Sequence, residues 1–165
     1  MENKIHLWIG SNFLPEEQYI SYFQLDYSVE GDFDDPNYKI CQFCKDVGLK
    51  WYDEDFIGII PRHKEDVSLD DILVDAAVDD SELNIIKEKC NNLGIKKANA
   101  IFWYQNEDFE IKKPIKDFYN GLKYIGLFQA DWIFLYLIII FISCITCFGY
   151  NCTPKQVNHT TSLPD

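Results

Sequence analysis

Basic residues are scarce in this sequence. Its 165 residues include 15 Lys and Arg against 27 Asp and Glu, which gives a formal net charge of −12. A protein that binds nucleic acid through phosphates needs a basic face, so this composition argues against a nucleic-acid partner. Global disorder is excluded as well, because apolar residues make up 47% and aromatic residues 16% of the chain, enough for the core of one domain.

Motifs that mark common catalytic sites are also missing. There is no Walker phosphate loop, no GxGxxG, no HExxH and no GxSxG nucleophile elbow. The three histidines lie in unrelated contexts, and we expect His6 at the surface of a sheet. Asp32 begins a segment similar to a calcium loop, but Pro36 and Phe43 stand where a ligand and the bidentate Glu are needed. We therefore expect no catalytic residue, no metal and no cofactor.

The cysteines do not form a metal or redox pattern. Four of the six make two CxxC pairs, Cys41 with Cys44 and Cys144 with Cys147. A zinc site needs both pairs within reach, and the second pair lies inside an apolar run. A thioredoxin-type redox motif should start a helix, whereas Cys41 falls inside a helical pattern that begins with Asp35. We expect ordinary packed thiols and no disulfide framework.

The negative charge is concentrated in the middle third of the chain. Residues 26–82 hold 17 acidic and 5 basic residues, whereas residues 83–165 have a net charge of +2. Crowding of like charges costs stability. Two interpretations stay open, a well-solvated surface and a surface that meets a basic partner.

The order of apolar patterns predicts an α+β fold. Strands are predicted over residues 4–10, within 51–61, and over 98–105, 108–112 and 122–128. Four helices are predicted, beginning at Pro15, at Asp35 and Pro36, at Ser68, and at Asp80 or Ser81. The helix that begins at Asp35 and Pro36 is predicted to end at Gly48, and the one that begins at Asp80 or Ser81 at Gly94. We expect a mixed or antiparallel sheet of about five strands, with 98–105 in its centre and about four helices packed mainly on one face.

The chain changes character after residue 131. Residues 132–150 are an uncharged run of 19 residues. As a helix this run would span roughly 28 Å, close to the ~30 Å hydrocarbon core of a bilayer. Two alternatives are a buried hairpin or helix of the domain and an irregular gene end. We expect a domain at 1–131, a transmembrane or apolar helix at 132–150, and a disordered polar tail at 151–165.

The ends of the chain predict its location. No apolar run follows the first residues, so we expect no signal peptide. Shortly before the apolar run come Lys112, Lys113, Lys116 and Lys123, and only Lys155 follows it, a bias that would keep the domain in the cytoplasm. We therefore expect a cytoplasmic domain, with residues 132–150 as a candidate anchor in the inner membrane.

Acidic and aromatic residues are densest in two short segments. Aromatic side chains supply buried area at an interface, and acids steer the encounter with a basic partner. The candidate partner-binding residues are Asp32, Asp34, Asp35, Trp51, Tyr52, Asp53, Glu54 and Asp55. Trp51 and Tyr52 fit core positions equally well. Acid–base catalysis by Asp53 and Asp55 is the least favoured interpretation.

Five segments of the chain form a recognisable ordered set. They are HLWIG at 6–10, FQLDYS at 23–28, DFDDPNYKICQFCKDVGLKWYDEDFIG at 32–58, ANAIFWYQ at 98–105 and YNGLKYIGLF at 119–128. Taken together they resemble the bacterial immunity protein 22 family, over about residues 3–131. The family's characteristic tryptophan would correspond to Trp51, with Trp8 and Trp103 as competitors.

This resemblance implies an α+β protein of a bacterial polymorphic toxin system, which protects its producer by binding a toxin encoded beside it. It implies no catalytic residues, and the chain after residue 131 departs from the family pattern. Our first hypothesis is a non-enzymatic immunity protein that binds a basic cognate toxin, for example a nuclease, through the acidic region 26–55. The alternative is a membrane-tethered protein-interaction module held by residues 132–150.

Overall fold

The computed structural model describes residues 4–29, 32–106, 109, 111 and 116–131. These belong to the first of the two units into which the chain divides, Met1–Trp132. In chain order the elements are β1 (Lys4–Gly10), α1 (Glu16–Ser21), α2 (Gln42–Val47), β2 (Ile57–Ile59), β3 (Val67–Ser68), α3 (Leu69–Ile72), α4 (Leu83–Asn92), β4 (Lys97–Ala98), β5 (Ala100–Gln105) and β6 (Leu122–Gln129). Short 3₁₀ turns span Glu54–Phe56, Leu73–Asp75 and Asp80–Glu82.

Strands β2, β5, β1 and β6 form one antiparallel sheet in that order, and β3 pairs separately with β4. The α+β class is therefore confirmed, and β5 is central as predicted. The sheet has four strands within the described ranges rather than five. The predicted strand at 108–112 lies mostly outside the described residues, and its two described members, Phe109 and Ile111, are not in a strand.

The hairpin before β6 has the turn that its sequence predicts. Asn120 and Gly121 have φ of 51° and 84°. Positive φ at both central residues is the requirement of a type I′ turn, which Asn-Gly satisfies best. Tyr119 and Leu122 close the turn, with N–H···O distances of 2.7 and 2.9 Å in the two directions. The turn reverses the chain immediately before β6, whose first residue, Leu122, is then paired with Gly10 of β1.

One face of the sheet carries an aromatic core under α1 and α2. Trp8 of β1 stacks on Phe102 of β5, with ring centroids 4.7 Å apart and planes 12° apart. Phe43 of α2 meets Trp8 edge-on at 5.8 Å. Tyr19 of α1 belongs to the same buried cluster.

Helix α4 covers the opposite face. Ile5 and Phe128 are partners across β1 and β6, and Ile5 points away from the Trp8 side because side chains alternate along a strand. Lys89 of α4 places its Nζ 4.6 Å from the centre of the Phe128 ring. The prediction that helices pack mainly on one face is therefore wrong. Central strand β5 is buried on both faces, so both faces need a cover.

The predicted start of the second helix is also wrong. Asp35 accepts a hydrogen bond from the N–H of Asn37 at 2.6 Å, and Asp32 accepts one from Asp34 at 2.9 Å. Such side-chain turns compete with helix formation. Helix α2 begins only at Gln42, and Gly48 ends it with a φ of 80°, as predicted.

His6 is in a strand as predicted, but it is fully buried rather than at the sheet surface. Its Nε2 lies 2.8 Å from the carbonyl oxygen of Phe109, and its Nδ1 lies 2.9 Å from the hydroxyl of Tyr124. A carbonyl can only accept, so Nε2 carries the proton and Nδ1 accepts from Tyr124. Burial lowers the pKa of His6, which favours this neutral form.

No helix within the described ranges is long and apolar enough to cross a membrane. The apolar helix predicted at 132–150 and the polar tail predicted at 151–165 lie outside those ranges.

Candidate partner-binding surface

Two acidic segments that are distant in sequence meet in the fold. The ring of Phe33 stacks on the indole of Trp51, with centroids 5.0 Å apart and planes 9° apart. Next to this stack, Lys50 forms an ion pair with Asp34. We call the area formed by Tyr27, residues 32–35 and residues 50–56 the acidic–aromatic surface.

Trp51 and Tyr52 have different places despite being neighbours. Trp51 is 46% exposed and Tyr52 is 3% exposed. The Tyr52 hydroxyl donates to the carbonyl of Phe23 at 2.7 Å, and its ring meets Phe43 edge-on at 5.3 Å. Tyr52 is therefore a core residue that holds the segment in place, while Trp51 presents about half of its side chain to solvent.

The carboxylates of the surface divide into two groups. Asp32, Asp35 and Asp53 each accept a hydrogen bond from a backbone N–H two residues further along, so they shape the local turns. The second group, Asp34, Glu54 and Asp55, is exposed, as is Asp32 of the first group. Asp34 pairs with Lys50, and Glu54 accepts the Tyr27 hydroxyl. Because the Asp53 carboxylate caps the turn that contains Asp55, the pair is part of a surface turn, and this geometry gives no support to acid–base catalysis.

The surface keeps its negative charge near neutral pH. A hydrogen bond from Lys50, together with its charge, lowers the pKa of Asp34. Asp26, which immediately precedes Tyr27 of this surface, has its pKa lowered by hydrogen bonds from Ser28 and from the backbone of Lys39. The acidic–aromatic surface holds six acidic residues and one basic residue, Lys50, so five carboxylates remain in excess when Lys50 is paired with Asp34.

Two aromatic residues of this surface, Tyr27 and Phe33, were not among the candidate partner-binding residues predicted from the sequence. Tyr27 is 56% exposed, and its hydroxyl donates to Glu54. This hydrogen bond raises the pKa of Tyr27 to about 12, so the phenol stays protonated and remains a donor. Each of the two is next to an acidic residue, after the predicted helix that begins at Pro15 and before the one that begins at Asp35, and that pattern is the signal that could have identified them.

The described residues contain no group of three or more His, Cys, Asp or Glu side chains placed to hold a metal ion. The arrangement in this part of the chain is instead the exposed indole of Trp51 stacked on half-buried Phe33, with carboxylates around it. Such a surface is suited to contact another molecule, since aromatic groups supply apolar area and the charges select its partner.

The fold and this surface define an α+β domain with an exposed acidic and aromatic face. The family model described as Immunity protein 22 matches residues 5–131, so the chain belongs to this family. The family name implies a toxin-neutralising function, a cognate toxin as the partner and a non-enzymatic role. Comparisons with curated proteins and with solved structures found no significant match.

Proposed function

We propose that this protein neutralises its toxin by direct binding through the acidic–aromatic surface, and that the toxin presents a basic surface, such as the cleft of a nuclease. The observation that supports this proposal is the stack of half-buried Phe33 on the exposed indole of Trp51, among carboxylates. We further propose that the toxin is encoded by the adjacent gene.

In this proposal the charges and the aromatic groups have separate roles. Exposed carboxylates attract a basic cleft over a distance and raise the association rate by roughly 10- to 1000-fold at low salt. Once the molecules meet, carboxylates occupy the positions that substrate phosphates would take. Trp51 then supplies the apolar contact that slows dissociation, because buried tryptophans dominate many interfaces.

Charge reversal at Asp53 tests this surface, and the chain offers a matched control. Asp53 and Asp79 both cap a 3₁₀ turn, accepting the N–H of the residue two positions later at 3.0 Å from Asp55 and 2.9 Å from Ser81. Asp53→Lys and Asp79→Lys therefore change the net charge equally and each removes a backbone cap, but only the first lies in the proposed surface. Asp79→Lys also removes the hydrogen bond from the Ser81 hydroxyl, so it is the more demanding control for stability.

The measurement is the association rate constant with the purified toxin domain at several ionic strengths. We expect Asp53→Lys to lower this rate constant several-fold at low salt and to flatten its salt dependence. Asp79→Lys should have a much smaller effect. Equal effects of the two variants would show that the proposed surface is not the binding site.

We also propose that the domain faces the cytoplasm and that residues 132–150 anchor it in the inner membrane. The uncharged run of 19 residues and the lysines before it support this proposal. Fractionation of cells that express the full chain tests it. Recovery of the whole protein in the soluble fraction without detergent would exclude the anchor.

A further inference from the structure

Cys41 and Cys44 lie together across the first turn of α2. Cys41 is the residue immediately before the helix, and its Sγ accepts the N–H of Cys44 at 3.4 Å. Both are free thiols. Cys41 is 7% exposed and Cys44 is completely buried, so Cys41 is the outer thiol and Cys44 the inner one. The sequence pattern did not predict that Cys41 immediately precedes a helix, because it predicted the start of the helix at Asp35.

The spacing of the two residues is compatible with a disulfide bond. Cα atoms three residues apart in a turn lie within ~7 Å of each other. Disulfides join Cα atoms ~4.4–6.8 Å apart. The two thiols belong to the same first turn, so the bond needs side-chain rotation and little movement of the backbone.

The surroundings give the two thiols different protonation states. Hydrogen bonds from the Cys44 thiol and from the backbone N–H groups of Cys44 and Phe43 lower the pKa of Cys41 to about 7, against the opposing effect of burial. The adjacent Cys41 thiolate and burial raise the pKa of Cys44. The other titratable groups coupled to this pair are Lys45, Tyr22, Tyr38, Tyr52 and Tyr104. Near neutral pH, Cys41 is therefore the nucleophile and Cys44 holds a proton.

We propose that Cys41 and Cys44 form a dithiol site that reacts with small-molecule disulfides of the glutathione type and ends as an intramolecular disulfide. The Cys41 thiolate attacks one sulfur of the small disulfide, the S–S bond breaks, and one thiolate leaves and takes a proton from water. Cys44 then attacks the Cys41 Sγ of the mixed disulfide, which expels the second small thiolate, and the proton of Cys44 passes through water to that thiolate. Two protein thiols are oxidised, and one small disulfide is reduced to two thiols.

The test uses the folded full-length chain and oxidised glutathione, with free thiols then alkylated and the protein digested with trypsin. Cleavage after Lys39 and Lys45 releases residues 40–45, which contain Cys41, Cys44 and no other cysteine. We expect this peptide to lose the mass of two hydrogen atoms and to resist alkylation. Because no toxin is needed, the result is independent of the proposed function.

Two variants and one internal control identify the chemistry. Cys44→Ser should accumulate glutathione on Cys41, and Cys41→Ser should leave Cys44 unmodified. Cys90 is completely buried in α4, and burial raises its pKa to about 11, so it should stay reduced in the same sample. The oxidation rate of the wild-type chain should rise between pH 6 and pH 8 with a midpoint of about 7.

Three outcomes would overturn the proposal. In the first, residues 40–45 stay fully reduced in the folded protein. In the second, Cys90 is modified as fast as the pair, which would mean that reaction follows unfolding. In the third, a glutathione adduct on Cys41 persists in the wild-type chain, which would mean that Cys44 cannot resolve it. The wild-type peptide map alone decides between these outcomes if a variant does not fold.

Discussion

Replacement of Trp51 by Ala tests whether the exposed indole is an anchor for the toxin. A tryptophan side chain offers up to ~250 Å² for burial. The 46% that is exposed in the free protein is therefore roughly 115 Å², which at ~25 cal/mol per Å² amounts to ~3 kcal/mol. Since ~1.4 kcal/mol is a tenfold change, Kd for the toxin should rise by about 100-fold.

The assay is calorimetric or surface-based titration of the toxin domain with wild type, Trp51→Ala and a control, Phe13→Ala. Phe13 is 65% exposed and lies outside the acidic–aromatic surface, so its replacement should leave Kd within about twofold of wild type. A Trp51→Ala protein that binds within about threefold of wild type would refute the anchor role. Equal losses of affinity in the two variants would show that the interface is not centred on the acidic–aromatic surface.

Tyr52→Phe completes this comparison, because it changes the core without changing the surface. It removes the hydroxyl that donates to the Phe23 carbonyl at 2.7 Å, and a buried acceptor left without its donor costs ~1–3 kcal/mol. Urea unfolding should therefore show a lower free energy of unfolding, while Kd stays at the wild-type value. A large loss of affinity in a folded Tyr52→Phe protein would contradict the assignment of Tyr52 to the core.

Other variants test the packing of the domain. Burial lowers the pKa of His6 from 6.5, so below pH 6.5 the unfolded chain binds a proton that the folded chain does not. The free energy of unfolding should fall as the pH decreases through this range, by at most ~1.4 kcal/mol per pH unit. His6→Asn should reduce the slope of the free energy of unfolding against pH, measured by urea titrations between pH 5 and 7. An unchanged slope would contradict the lowered pKa of His6. Gly58→Ala would place a Cβ 2.1 Å from the Cε2 atom of Trp103. We expect this overlap to lower the free energy of unfolding by ~1–3 kcal/mol or more. A variant as stable as wild type would refute the close contact. Asp46 is 4% exposed and accepts the Tyr22 hydroxyl at 3.0 Å, so Asp46→Asn should lower the free energy of unfolding by ~1–3 kcal/mol, whereas no change would show that the charge is dispensable.

Local patterns were sufficient for several elements. The alternation of Ile5, Leu7 and Ile9 predicts β1, and Asn120 with Gly121 predicts the turn before β6. Gly48 marks the end of α2 at the position where the structure has it. Each of these features depends on the conformational preferences of a few adjacent residues, and these preferences can be inferred from residue type alone.

The candidate surface could be predicted only in part. Its acidic character is visible in the sequence, and so is the aromatic pair beside it. The contact between Phe33 and Trp51 is not visible, because it joins residues 18 positions apart through a fold that no local pattern describes. Tyr52 and His6 could be assigned to the core only when the packing of other segments over them was known.

The sequence by itself determined the α+β class, the concentration of acidic charge in residues 26–82 and the membership of a family, since all three follow from composition and ordered segments. The tertiary structure decided that helices cover both faces of the sheet and that Trp51 lies outside while Tyr52 lies inside. It also placed Cys41 before α2 rather than within it. The reason is that burial and pairing depend on contacts between segments that are distant in sequence. Two neighbouring residues of similar chemistry, such as Trp51 and Tyr52, can therefore have different surroundings.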